Sequence, residues 1–266
     1  MITSKKMMRY FLHNGIFLTM GLLLALGLKY HYSRAGSDDL GWILGPTAGL
    51  VELVSGIRFE NEANTGFVRH RYRIIIAPSC AGINFLIVAF CMAVFSGIHA
   101  VKPFWAKLYW LTASLVSAYC LTIGVNVLRI IVSIYSYKAN IYYGWITPQR
   151  VHRLEGVVIY FFFLCLFYMI IIKGVHRITR KTDGKKKFGT KNNGGQPDYF
   201  RWVLAGLIPL FWYSLVTVGV PLLNGALQVN AAHFTEHSGM VLSASMAVLV
   251  VVFLIRLAGQ CFLRKL

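Results

Sequence analysis

Three side chains with the chemistry of covalent catalysis lie beside apolar stretches of this 266-residue chain: Cys80, Arg129 and His152. A cysteine thiolate can attack a carbonyl carbon, and a fixed cation can stabilise the oxyanion that then forms. An imidazole can carry a proton to a leaving amine or remove one from an incoming nucleophile. These residue types together predict acyl transfer through a thioester, provided that the fold brings them to one place.

Cys80 stands in the sequence APSCAG, directly before a long apolar run. Pro78 and Ser79 commonly begin helices, so we expect Cys80 at or near a helix N terminus. The unpaired backbone N–H groups and the positive dipole end of a helix favour a thiolate there. Ser79 and Gly82 are candidates to complete the oxyanion site, and Asn84 lies one turn from Cys80. A buried, inert thiol is the structural alternative.

Arg129 and His152 are expected at the same depth in the membrane as Cys80. Arg129 lies about 30 Å along its helix from the other membrane face, and Asn126, one turn earlier, is placed to orient it. His152 precedes the next apolar run, and Glu155 is placed to orient it. The alternatives are a snorkelling arginine that anchors its helix and an interfacial histidine without a chemical role.

The elements that must position these residues are membrane helices. The chain is 57% hydrophobic and 14% charged, whereas soluble domains carry about 25% charged residues. Six apolar runs are long enough to span a bilayer, approximately at 10–28, 81–98, 108–135, 154–172, 202–223 and 240–259. A seventh run, 40–57, is interrupted by Gly, Pro and Glu and predicts an interfacial or re-entrant helix, with a seventh span as the alternative. We therefore predict an all-α polytopic membrane bundle.

Basic residues outnumber acidic ones, 27 to 9, which gives a net charge of +18. A nucleic-acid-binding protein has such a balance too. Here the basic residues sit mostly between apolar runs, as in loops that face an anionic leaflet, so membrane lipid and not nucleic acid is the predicted partner. With the N terminus inside, most acids fall in the outer segments. The charge pattern thus predicts cytoplasmic termini and a Cys80 on the outer side.

Composition divides the chain into three predicted parts. We expect residues 1–175 to form the membrane domain that carries the three reactive residues, residues 176–201 a basic cytoplasmic linker, and residues 202–266 a two-helix membrane segment. The centre of the linker, 184–197, is rich in Gly and Lys and lacks apolar periodicity, which predicts flexibility.

Cysteine and histidine spacing argues against a metal site. The five cysteines form no CxxC pair, which weakens a zinc ribbon or a thiol–disulfide oxidoreductase. His233-x-x-Glu236-His237 resembles a metal-ligand pattern, but we expect it on a short outer loop. We therefore predict no metal and no cofactor.

Around the three reactive residues the sequence resembles the exosortase/archaeosortase family of membrane cysteine transpeptidases. The motifs are PSCAGINFL around Cys80, NVLRI around Arg129 and HRLEGVVIYF around His152, in the family's order. The resemblance covers about residues 1–175, and the stretch YHYSRAGSDDLGWILGPTAGLVELVSGIRFE looks most like the exosortase K branch. It implies Cys80 as nucleophile, Arg129 as oxyanion stabiliser and His152 as acid and base.

The resemblance also implies a substrate and a location. Exosortases are thought to process exported proteins that end in a short motif, a hydrophobic helix and a basic tail, and to pass them to a surface acceptor. Such a protease and transpeptidase belongs in the bacterial inner membrane with its active site outside.

Three alternating arginines, Arg69, Arg71 and Arg73, are placed to meet either an acidic substrate motif or lipid headgroups. Two other functional classes stay open. A transporter is disfavoured because the middles of the spans are almost wholly apolar. A non-enzymatic membrane assembly subunit is distinguished from an enzyme by the reactivity of Cys80.

Overall fold

The computed structural model of the protein describes residues 4–70, 74–139, 142–144, 146–183 and 198–263. Six helical segments in it are long and apolar enough to cross a membrane, which confirms the predicted all-α polytopic bundle. The chain forms two compact units. The first comprises 1–141 and 171–180, and the second comprises 142–170 and 181–266.

The described residues of the first unit form four helices and a small antiparallel sheet, together with the helical segment 171–180. In chain order these are α1 (Ser4–Arg34), α2 (Gly41–Ser55), β1 (Glu60–Glu62), β2 (Gly66–Arg69), β3 (Ile74–Ile76), α3 (Ile83–Gly97) and α4 (Phe104–Lys138). Short 3-10 turns at Pro78–Cys80 and Ile98–Ala100 flank α3. α3 packs against both α1 and α4, and α2 packs along α4. The most buried element is therefore the helix that follows Cys80.

α2 is a short helix, as the seventh apolar run predicts, and not a seventh span. Its 15 residues extend about 22 Å, less than the hydrocarbon core of about 30 Å. Ile43 and Val51 are fully buried, whereas Leu53 is 79% exposed. Trp42 stacks on Tyr119 of α4 with ring centroids 5.8 Å apart, and the Tyr119 hydroxyl donates to the Trp42 carbonyl at 2.7 Å. Side-chain packing therefore fixes one face of α2 to α4.

Close backbone approach holds α3 against α4 at the end opposite Cys80. A Cβ on Gly97 would lie 2.1 Å from the Trp110 ring, so only glycine admits the indole there. The Trp110 Nε1–H donates to the Ala93 carbonyl at 3.2 Å. The apolar packing and this hydrogen bond together seat the indole in the contact between the two helices.

Lys107, a basic residue between two of the apolar runs, lies inside the first unit. Its side chain is almost fully buried, its Nζ donates to Asn14 Oδ1 at 2.6 Å, and the ammonium stands 5.6 Å from the centroid of the Phe17 ring. A buried ammonium needs such partners, since burial without them costs several kcal/mol. Lys107 therefore joins α4 to α1 instead of projecting from a loop.

The three strands form a sheet that the sequence did not predict. β2 pairs with β1 and with β3, and Phe67 stands opposite Ile76. Gly66 adopts φ 111°, and a Cβ there would lie 2.5 Å from the Ile76 carbonyl oxygen. Since β3 ends just before Pro78, the sheet holds the chain that leads into the Cys80 segment.

The second unit contains the first part of α5 (Pro148–Asp183) and the C-terminal helices. These are α6 (Asp198–Ser214), a π-helical turn (Leu215–Gly219), α7 (Val220–Leu223), α8 (Ala226–Val229) and α9 (Ala231–Leu263). α6 packs against α9, and Phe161 of α5 contacts Tyr213 of α6 with centroids 5.6 Å apart. Residues 176–183 of the predicted linker continue α5, and residues 184–197 lie outside the described residues.

Candidate functional site

A short irregular segment presents Cys80 between β3 and α3. The backbone is extended at Ala77, and the 3-10 turn that follows is closed by the Cys80 N–H donating to the Ala77 carbonyl at 2.8 Å. Gly82 then takes φ 71° at the N-cap of α3, a left-handed conformation that glycine adopts without strain. α3 begins at Ile83, so Cys80 lies near a helix N terminus, as predicted. Its thiol is free and half-buried, whereas the side chain of Ser79 is exposed.

Asn126 of α4 binds the Cys80 segment directly. Its side chain is fully buried, and its Nδ2 donates to the Cys80 carbonyl. A buried amide requires hydrogen-bond partners because leaving one unpaired costs about 1–3 kcal/mol. The sequence suggested that Asn126 orients Arg129. The structure gives it this additional contact, which ties the nucleophile candidate to α4.

Arg129 follows Asn126 by one turn of α4 and is 7% exposed. A snorkelling arginine would extend its charge to water or headgroups, so burial contradicts that alternative. Removing a guanidinium from water costs several kcal/mol even when it is paired. A buried cation one turn from the amide that binds the Cys80 carbonyl is suited to stabilise negative charge that develops near that segment.

Two residues that the sequence analysis missed, Lys29 and Tyr32 of α1, adjoin this site. The Lys29 Nζ donates to Asn84 Oδ1 at 2.7 Å and stands 5.7 Å from the Tyr32 ring centroid. Tyr32 lies close enough to Cys80 and Arg129 to interact electrostatically with both. The sequence carried a signal for them, because polar residues one turn apart ended the first apolar run.

We expect Asn126→Leu to destabilise the protein by about 1–3 kcal/mol, because the partly buried Cys80 carbonyl then loses this donor. Thermal unfolding of the purified protein in detergent measures the effect. Thr122→Val is the matched control, since Thr122 is equally buried on α4 and its hydroxyl donates to the Ala118 carbonyl of its own helix. Equal unfolding midpoints for the two variants would contradict an anchoring role for Asn126.

His152 belongs to the second unit, in the second turn of α5. Thr147 caps this helix, since the Arg150 N–H donates to its Oγ1 at 3.3 Å, and Pro148 occupies the first helical position. His152 and Glu155 are both half-buried and lie one turn apart. The cap and the proline therefore define where the helix that carries the imidazole begins.

The group His233-x-x-Glu236-His237 lies on α9 and not on a short loop, which corrects the prediction. α9 begins at Ala231, and the His233 N–H donates to Asn230 Oδ1 at 3.0 Å. This cap allows the helix to start in a polar stretch. Of the three predicted arginines, Arg69 ends β2 and is half-buried, whereas Arg71 and Arg73 lie outside the described residues.

Comparison of the sequence with models of known protein families gives a match. Residues 17–169 match the family model described as transmembrane exosortase (Exosortase_EpsH). That range includes Cys80, Arg129 and His152 and leaves out α6 to α9. Searches of curated proteins and of solved structures found no match. Since the matched range covers more than half of the chain, the protein belongs to the transmembrane exosortase family.

Proposed function

We propose that the protein is a membrane cysteine protease and transpeptidase that cleaves a C-terminal sorting signal from exported proteins. The observation that carries this proposal is the joint placement of Cys80 and Arg129. Asn126 holds the Cys80 segment, and Arg129 follows it by one turn as a buried cation. A nucleophile with a fixed positive charge nearby is suited to acyl transfer.

In the first step, the Cys80 thiol passes its proton to His152. The thiolate then attacks the carbonyl carbon of the scissile peptide bond. The carbonyl π electrons move to oxygen, and Arg129 stabilises the resulting oxyanion. When the tetrahedral intermediate collapses, the C–N bond breaks and His152 gives its proton to the departing amine. The N-terminal part of the substrate is then bound to Cys80 as a thioester, and the C-terminal fragment is released.

In the second step, a nucleophile from the acceptor or from water attacks the thioester carbonyl. His152 removes its proton, and Arg129 again faces the oxyanion. Collapse breaks the C–S bond and releases Cys80, which recovers its proton from His152. An acceptor amine or hydroxyl gives transpeptidation, whereas water gives hydrolysis.

We place the reaction at the outer face of the bacterial inner membrane, with both chain termini in the cytoplasm. The concentration of basic residues in the segments assigned to the inside supports this orientation. A substrate with a hydrophobic helix and a basic tail would span the same bilayer and present its scissile bond at that boundary. The stretch from Tyr30 onward supports the exosortase K branch.

The test is the thioester itself. Acid-quenched membranes from cells that are processing substrate should yield a Cys80 peptide with an acyl adduct that neutral hydroxylamine removes. Fragmentation of that adduct in the mass spectrometer also gives the amino-acid sequence of the attached substrate. Cys120→Ala, which alters a side chain exposed on α4, should retain the adduct, and Cys80→Ala should lack it. Processing without any such adduct at Cys80 would contradict the proposal.

A further inference from the structure

The N-terminal turns of α5 and α9 are joined by side chains in the second unit. Glu236 Oε1 of α9 accepts from Arg150 Nε at 3.0 Å and lies 3.8 Å from Arg153 Nη2. The Arg153 Nη1 is 3.3 Å from His233 Nε2. One carboxylate of α9 thus meets two arginines that lie one turn apart on α5. We call these four side chains the α5–α9 clasp.

Electrostatics favours a negative charge at this position. Each helix N terminus carries a partial positive charge of about half a unit, and two arginines add full charges. Without an acid, these like charges would push the two helix ends apart. The clasp side chains Arg150, Arg153 and Glu236 are 36%, 28% and 39% exposed. They are therefore partly desolvated, and one carboxylate shared by two cations exceeds an isolated surface pair in strength.

The clasp restrains the rotation of α5 about its own axis. At 100° per residue, Arg150 and Arg153 are about 60° apart around the helix, and His152 lies about 130° from their midpoint. The clasp consequently holds one face of α5, while His152 projects from another. A restraint at two points one turn apart fixes the side of α5 from which His152 projects as well as the position of His152 along the helix axis.

We infer that Glu236 is a positioning residue for His152, which it orients through Arg150 and Arg153. The inference rests on the proposed function, since it takes His152 as the acid and base. It assigns a role to α9, which lies beyond the residues matched by the family model. The C-terminal segment would then support the reaction without touching the substrate.

Glu236→Gln keeps the shape of the side chain and removes its charge. In the full-length protein in detergent, we expect diethyl pyrocarbonate to modify His152 several-fold faster, because the first turns of α5 are less restrained. Exposed His70 of the first unit is the internal reference and should not change. We also expect about a tenfold lower kcat for processing, with KM unchanged. The charge-matched control is Glu60→Gln, at an exposed acid of β1, which should behave as wild type.

Charge reversal separates positioning from a general loss of structure. The double variant Glu236→Arg with Arg150→Glu rebuilds an ion pair of opposite polarity, so it should recover most of the kcat lost in Glu236→Arg alone. An unchanged His152 modification rate or an unchanged kcat in Glu236→Gln would overturn the inference. Failure of the proposed function is distinguishable, because Cys80→Ala would then still process substrate.

Discussion

Replacing Cys80 with alanine should lower the processing of exported substrate at least about a thousand-fold. The nucleophile forms the covalent intermediate, and losing such a group removes most of the rate enhancement of an enzyme. The measurement is the ratio of precursor to mature substrate in membranes, with the substrate identified by its adduct on Cys80. Folding should be preserved, because the Cys80 thiol is half-buried and its segment is held through the carbonyl by Asn126.

Cys120→Ala is the matched control for this experiment. Cys120 is exposed on α4, so the variant should process substrate at the wild-type rate. Normal accumulation of mature substrate in Cys80→Ala cells would remove Cys80 as the nucleophile. It would favour instead a membrane assembly subunit or a transporter.

Replacing Arg129 with alanine should lower kcat by about 100- to 1,000-fold, which corresponds to about 3–4 kcal/mol of transition-state stabilisation. Arg129 is a buried cation on the helix that holds the Cys80 segment, so its charge acts where water screens it little. Arg129→Lys should recover part of this loss because it keeps the charge without the planar guanidinium. Single-turnover kinetics with the isolated protein measures the chemical step.

The control for Arg129 must separate chemistry from folding. Lys107 supplies it, because it is another buried cation of α4, whose ammonium binds Asn14. Lys107→Met should lower the unfolding midpoint and leave the kcat of the folded fraction unchanged. A wild-type kcat in Arg129→Ala would show that the arginine serves the fold and not the reaction.

The candidate site in the first unit is built by two helices and one irregular segment. α4 contributes Asn126 and Arg129, and the segment before α3 contributes Cys80. α1 adds Tyr32, which interacts electrostatically with Cys80 and Arg129, and it is linked to α3 by the hydrogen bond from Lys29 to Asn84. The end of α1 therefore adjoins the candidate site.

Hydropathy alone determined the membrane architecture of this protein. A run of about 20 apolar residues has one stable placement, a helix across lipid, because the bilayer core offers no partners for backbone groups. The fixed rise of 1.5 Å per residue also predicted Arg129 of α4 at the same depth as Cys80. The hydrogen bond from Asn126, one turn before Arg129, to the Cys80 carbonyl agrees with that prediction.

Only the tertiary structure decided which polar side chains meet. Hydropathy treats the polar residues before Met240 as a loop, whereas α9 begins at Ala231 because Asn230 caps it and Glu236 meets two arginines. Lys29 reaches Asn84, 55 residues along the chain, and no local pattern encodes that pairing. Helical periodicity reports which face of a helix is apolar, but a polar contact between helices depends on their rotation and spacing. Packing across the whole unit sets both of these.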